Sequence, residues 1–598
     1  MINSKIEFIN GRASLVIDGK REPGCAYITY FDEFSHCDDF AKVGYEMFSL
    51  CASFSGLPLN SKTGFSPLFG IFDIKDKPDF SHFDRNVGQI LKSCPNAKIF
   101  PRVRVSMPLW WVQENESETC QSPIIYKREA LFSDKFREMG AQMLREFIAH
   151  VHAADYADNI IGYQIAGGGT EEWYHFDEMG SLSDCSEQKF NDYLKEHYPA
   201  QYSEEVKVPD YALFSGEGMV VDRLAQRYLE FISFSVAETV AYFAKVVKEC
   251  VKHRQIVGTF YGYVQDIPKP LQGSCGLNQL LDCPDIDFFC SPGSYVNMRA
   301  LGMDWAERSA GESIKQHGKL YFLENDIRTC LTKIPDDCRP GIDPEKKYSS
   351  KLWLGPSTVE QSVWAVRKAY ARQLTHANAL WWFDMWGGWY ACDELMNEMK
   401  LSLELMKKLT ESNLPTTRSQ VAVLFDEKYP FRVGMKDPCF TIQQTVHDRV
   451  GNTGMTFDAF LTEDYEQSVY YKAVLIPFPD AFDSDEIVAI KVFLKSKNIP
   501  YVQLTTDDVD ISPNALRERL INAGVHCYCS TGDVIYHGNG YLAIHAATAG
   551  NKTVTLPCAA NITKVNEERT TYFSDTIEVI MEQFETLLFR VEDVNVGR

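Results

Sequence analysis

Two short runs concentrate carboxylates in settings suited to acid-base chemistry. In the first, Gly167-Gly168-Gly169 leads into Thr170-Glu171-Glu172-Trp173; in the second, the apolar run Leu320 to Leu323 ends in Glu324, followed by Asp326 and Arg328. Three glycines permit a sharp turn, which brings a carboxyl close to whatever the turn encloses. A carboxylate closing a buried strand must be paired or hydrogen-bonded. Two such groups facing one bond supply what glycoside hydrolysis with retention requires: an ionised nucleophile on one side and a protonated acid on the other, roughly 5 to 5.5 Å away. Trp173 is the apolar neighbour expected to raise the pKa of Glu172, and Arg328 the cation expected to hold Glu324 ionised. Glu172 is therefore read as acid/base, with Glu171 as the alternative, and Glu324 as nucleophile. The competing reading makes these carboxylates loop residues in solvated ion pairs.

The elements that must position them are strands of a parallel barrel, because functional groups of such barrels sit at the carboxyl ends of the strands. Eight strand-like runs alternate with helical patterns between residues 23 and 412: Gly24 to Tyr30, Glu46 to Phe54, Lys98 to Val105, Ile160 to Ala166, Gln255 to Tyr261, Ile286 to Ser291, Lys319 to Glu324 and Ala379 to Asp384. Apolar residues at three- and four-residue spacing mark helices at Ser133 to Ala154, Asp222 to His253 and Val359 to Thr375. This predicts a (β/α)8 TIM barrel in which Glu172 and Glu324 follow the fourth and seventh strands, across the mouth from each other. Other polar and aromatic residues near strand ends fit a sugar: Arg102, Arg104, Asn297, Asp326, Arg328 and Asp384 for hydroxyls, and Trp110, Trp111, Trp173, Tyr261, Tyr263, Tyr295, Trp382 and Trp389 for the C–H faces of a pyranose.

At 598 residues the chain is too long for one core, so more than one domain is expected. Residues 1–414 are assigned to the barrel with an N-terminal β-hairpin. Residues 415–524 change to a shorter α/β alternation, an open-sheet domain that resembles the glutamine amidotransferases. Residues 525–598, rich in Thr, Val and Gly around the turn His537-Gly538-Asn539-Gly540, are assigned to a small antiparallel β domain.

Composition excludes several functions. A net charge of -22 repels phosphate backbones and anionic lipid, which argues against nucleic acid and membrane partners. No run approaches the roughly 18 to 20 apolar residues of a membrane span, and the alternating N-terminal residues read as strands rather than a signal peptide. Seventeen cysteines, an odd number without a C-x-x-C pair, suit buried thiols in a reducing cytoplasm better than a disulfide frame or zinc site. The thirteen histidines include no H-E-x-x-H, so no metal is expected. The glycine run fails the dinucleotide fingerprint because its third glycine position is Glu172, and no G-x-S-x-G elbow supports acyl transfer. No cofactor is implied.

With the hairpin, the barrel carrying Glu after strands four and seven, the open α/β domain and the small β domain in that order, the chain resembles glycoside hydrolase family 42 and its clan A relatives, typified by bacterial β-galactosidases. Where the family carries Asn-Glu after strand four, Gln164-Ile165 here runs into Ala166-Gly167-Gly168-Gly169 before the glutamate pair. The resemblance implies a retaining exo-β-glycosidase and a homotrimer formed through the α/β domain. The similar family 164 implies β-mannosides as the alternative substrate class. A catalytically silent carbohydrate-binding barrel is the alternative of another kind.

Overall fold

The computed structural model describes residues 2–58, 69–122, 127–176, 185–266, 269–295, 299–343, 346–349, 353–567 and 570–592. Asn297, one of the expected hydroxyl-binding residues, lies outside them.

All eight expected barrel strands are present. The second and third are each split in two, Met47–Phe48 with Cys51–Ser53 and Lys98–Ile99 with Arg102–Arg104, so the curled parallel sheet counts ten segments. Pro101 breaks the third strand because it has no N–H to give the ladder. The ring closes through the first strand, Cys25–Ile28, which pairs with both Ala379–Phe383 and Met47–Phe48. Around it run Gly162–Ala166, Ile256–Phe260, Phe288–Pro292 and Leu320–Asn325 in parallel register, with Glu324 opposite Trp381 on one side and Pro292 on the other.

Below the mouth the barrel is filled by aromatic rings: Phe100 and Phe322 each lie within 5.2 to 5.9 Å of the other, of Phe288 and of Trp381 in edge and stacked pairs. The fifth strand makes room for them with Gly258, where a Cβ would stand 2.2 Å from the Phe288 ring. Helices Asp134–Ala153, Arg223–Cys250 and Val359–His376 cover the outside, each started by an Ser, Asp or Thr side chain accepting a backbone N–H in its first turn.

The expected N-terminal hairpin gains a third strand, Lys20–Glu22, forming a small antiparallel sheet with Ser4–Ile9 and Arg12–Ile17. It closes the bottom of the barrel: Ser4 Oγ donates to Ile161 O and accepts from Ile256 N. Past the barrel, a parallel sheet is ordered Phe457–Leu461, Val421–Phe425, Ala473–Pro479, Tyr501–Leu504. Its edge strand Phe457–Leu461 was not expected from sequence. A five-stranded antiparallel sheet follows, and its first hairpin turns at Asn539 and Gly540, both with positive φ as a tight two-residue turn requires. Asn539 also docks this sheet on the barrel by donating to Leu374 O and Thr375 O. Among the described residues, no helix is long and apolar enough to cross a membrane.

Candidate active site

The fourth strand ends in a loop that folds back on itself. Trp173 N donates to Gly167 O at 2.8 Å and Gly169 N donates to Tyr174 O at 2.7 Å. Gly167 is required by close approach, since a Cβ there would sit 2.6 Å from the Trp173 ring. Within the turn Thr170, Glu171 and Trp173 have φ of 54°, 68° and 60°, a left-handed conformation that costs residues other than glycine energy. Consecutive side chains consequently leave in different directions.

Glu171 points into the barrel. It is 0% exposed, and its Oε2 accepts from the Tyr30 hydroxyl at 3.1 Å and from Arg102 Nη1 at 3.3 Å. Glu172 keeps a side chain 15% exposed; its Oε2 accepts from Thr170 Oγ1 at 2.6 Å and its Oε1 from Arg308 Nη1 at 3.3 Å. Trp173 turns the other way. Its ring stacks on Phe243 of the helix Arg223–Cys250, and its indole N–H donates to Thr259 at 2.9 Å. The expected role of Trp173 as a sugar platform and apolar wall for Glu172 is thus corrected: the ring belongs to the layer between strands and helix.

Glu324, on the seventh strand, is buried and accepts from Arg102 Nη2 at 2.9 Å. Arg102 therefore bridges carboxylates from the fourth- and seventh-strand ends, its guanidinium packed among Tyr30, Phe260, Trp381 and Phe383. The cation on Glu324 is Arg102 and not Arg328. Burial drives Glu324 up, to about 8; Arg102 opposes the rise, while Asp326 and Glu172 add to it. This reverses the direction expected from sequence, because desolvation of a fully enclosed carboxylate outweighs one guanidinium.

The remaining expected residues divide between the mouth and its scaffolding. Tyr295 donates to Asp326 Oδ2 at 2.9 Å, and its phenol feels the charges of both Glu172 and Glu324. Asp326 is held between Arg299, at 2.5 Å, and Arg328, at 2.9 Å. Arg328 in turn lies over the Trp353 and Trp389 rings. Tyr263 lies under the Arg308 guanidinium beside Glu172.

Scaffolding accounts for the others. Tyr261 spends its hydroxyl on Ser233 O and Gly273 O. Asp384 accepts from Tyr27, Gly388 N and Trp389 N, pinning the turn after the eighth strand. Trp382 points outward and donates to Tyr45, because alternation along the strand gives the interior to Trp381. Arg104 binds the carbonyls of Ser55, Leu57 and Pro58. Trp110 donates to Phe72 O and carries Lys75 on its ring, while Trp111 is buried. Tyr261, Trp382, Asp384 and Arg104 are thereby corrected from ligand-binding to structural positions.

Sequence reasoning missed Tyr30, Thr170, Asp266, Arg299 and Arg308. Tyr30 follows the first strand by two residues and was open to the rule that selected Tyr261; Arg299 and Arg308 lie on a long segment after the sixth strand, where no periodicity marks a position. Among the described residues, His36, Asp38 and Asp39 alone are grouped closely enough for a metal, and Lys42 already contacts both aspartates at 3.0 Å.

No family model and no curated protein matches the sequence. Solved structures do match. A β-galactosidase from the Antarctic haloarchaeon Halorubrum lacusprofundi superimposes with a TM-score of 0.60 at 13% identity, over 95% of this chain and 99% of that one. One from Bacillus circulans sp. alkalophilus gives 0.59 at 12%, over 95% and 99%. A catalytic mutant of a GH42 β-galactosidase from G. stearothermophilus gives 0.58 at 9%, over 95% and 98%. The chain has a family 42-like fold. The match spans the barrel and both sheets beyond it, so the likeness is one of whole architecture.

Proposed function

We propose that the protein is a retaining, exo-acting β-glycosidase that removes a terminal β-linked hexose, with Glu324 as nucleophile and Glu172 as acid/base. The observation that carries this reading is the convergence of Glu171, from the fourth strand end, and Glu324, from the seventh, on Arg102, with Glu172 beside Glu171 and near enough to Glu324 for the two charges to interact. Glu172 protonates the departing glycosidic oxygen while Glu324 attacks the anomeric carbon. The resulting glycosyl-enzyme is released by water that Glu172 deprotonates. Glu172 is favoured over Glu171 because it keeps an exposed edge, whereas Glu171 is enclosed and bonded to Tyr30 and Arg102. That the structural neighbours are β-galactosidases favours β-galactosides, and the reading brings with it a homotrimer through the α/β unit and the reducing, cytoplasmic setting that the cysteine pattern supports.

The test is release of nitrophenol from a panel of β- and α-linked nitrophenyl glycosides by the native protein and by Glu324→Ala, Glu172→Ala and Glu171→Ala. Turnover of a β-galactoside is expected, and turnover of a β-mannoside would assign the alternative sugar. With azide, Glu324→Ala should yield the α-glycosyl azide and Glu172→Ala the β-glycosyl azide. A β-azide from Glu171→Ala in place of Glu172→Ala would exchange the two roles. Sugar binding without turnover of any glycoside, or full activity in Glu324→Ala, would overturn the reading.

A further inference from the structure

The carboxyl proposed as acid/base is held by a chain of contacts that reaches beyond the barrel. Arg308 reaches Glu172 through Nη1 at 3.3 Å and Asp266 through Nε at 2.9 Å, the latter a charge contact rather than an aligned hydrogen bond. Asp266 Oδ1 accepts from Gln444 Nε2 at 3.0 Å. Gln444 belongs to the helix Ile442–Val450, which follows the first strand of the parallel four-stranded sheet. That helix also fixes the backbone beside Arg308, through the His447 ring and Glu307 O, while Gln265 N donates to Arg308 O and Gln265 Nε2 to Ser309 O. Arg308 and Asp266 are enclosed, at 1% and 0% exposure.

A guanidinium touching a carboxyl favours the ionised form and so makes a poor proton donor. Arg308, unopposed, would work against the acid step. Asp266 sits on the same guanidinium and divides its charge. We propose that Asp266, held in place by Gln444, is a positioning residue that shares the Arg308 guanidinium with Glu172 and weakens its hold on that carboxyl, coupling the helix Ile442–Val450 to the chemistry of the barrel. This rests on the assignment of Glu172 as acid/base.

The other titratable groups facing Glu172 are Glu324, Tyr174, Tyr263, Tyr295 and Cys290. Those facing Asp266 are Tyr174, His447 and Asp448. Among them Arg308 is the cation in contact with both carboxylates, and Asp448, driven up to about 7 by burial and by Asp266, adds little charge below neutrality.

The test reads Glu172 without needing turnover. In full-length protein carrying [δ-13C]glutamate, the Glu172 carboxyl resonance is identified as the one lost in Glu172→Gln, and its titration is followed in the native protein, Asp266→Asn, Asp266→Glu and Gln444→Leu. Asp266→Asn should lower the Glu172 midpoint by about one pH unit or more. Asp266→Glu should restore it, and Gln444→Leu should lower it by less. The basic limb of kcat/KM should move with the resonance, whereas a merely structural loss would reduce rates at all pH values alike. If Asp266→Asn misfolds, the Gln444→Leu shift decides. An unmoved Glu172 titration in folded variants overturns the proposal whether or not a glycoside is cleaved. A shifted titration in a protein that cleaves none would uphold the coupling and remove the catalytic assignment instead.

Discussion

Replacing Arg102 with Met is the sharpest perturbation of this site, because one guanidinium neutralises carboxylates from two strand ends. The thioether fits the space among Tyr30, Phe260, Trp381 and Phe383 and keeps contact with their rings. What is lost is a contact at 2.9 Å to Glu324 and one at 3.3 Å to Glu171. A hydrogen bond to a charged group contributes about 1.5 to 3 kcal/mol. At about 1.36 kcal/mol per pH unit, the lost bond to Glu324 corresponds to a rise of roughly 1 to 2 units in its pKa. Burial already raises Glu324, so the variant compounds an existing cost. As the proposed nucleophile Glu324 must be ionised to attack, so the acid limb of kcat/KM is expected to move to higher pH by that amount and the rate at pH 6 to fall by about 10- to 100-fold. Part of the loss returns near pH 9. The assay is kcat/KM from pH 5 to 10 on the nitrophenyl glycoside the native protein cleaves, with near-UV circular dichroism to verify the fold. Arg102→Lys, which retains one charge and one contact, should fall between. If activity drops by the same factor at every pH and the limb stays in place, Arg102 does not govern the ionisation of Glu324 and the site has been misread.

Two other outcomes are expected. Burial raises Glu324 and Glu427 to about 8, Glu312 and Asp448 to about 7 and Asp384 to about 6; below about pH 6.5 the buried histidines His175, His376, His447 and His545, lowered by burial, act in the opposite sense, so the window in which the folded chain binds more protons than the unfolded one and stability falls as pH rises is about 6.5 to 8. Melting temperature should decline from about pH 6.5 to pH 8 and decline less steeply in Glu324→Gln; a flat or rising profile in the native protein over that range would refute the sign. Gly167→Ala places a methyl 2.6 Å from the Trp173 ring and should destabilise by about 1 to 3 kcal/mol while cutting kcat more than it changes KM, as steady-state kinetics and thermal melts would show; native kinetics would mean that the loop tolerates displacement.

How far the sequence disclosed this site follows from which residues sit on regular elements. The eight barrel strands were legible because each is a short apolar run between helical patterns, and Glu324 because it ends one. Alternation along those same strands decides which side chains face the axis, and a one-residue error exchanges inside for outside: Trp382 was selected where Trp381 faces Arg102. The edge strand Phe457–Leu461 escaped notice because five residues interrupted by Asp458 show little contrast with their surroundings. Arg308 and Asp266 lie in segments where neither period applies, and their meeting depends on tertiary placement of the helix Ile442–Val450.

The loop after the fourth strand shows why local rules fail where chemistry is concentrated. A strand would send Glu171 and Trp173 to one face and Glu172 to the other; a helix would fan them by about 100° each. Here Glu171 enters the barrel, Glu172 turns to Thr170 and Arg308, and Trp173 goes into the strand–helix layer. That divergence requires positive φ at Thr170, Glu171 and Trp173, at about 1 to 3 kcal/mol each. Burying an indole of roughly 150 to 250 Å² at about 25 cal/mol per Å² contributes on the order of 4 to 6 kcal/mol, and the bond to Thr259 adds to it. The two magnitudes are comparable, so Trp173 serves as the anchor that holds a strained turn, and its aromatic character, legible in sequence as a candidate sugar platform, acts on Glu171 and Glu172 through the backbone.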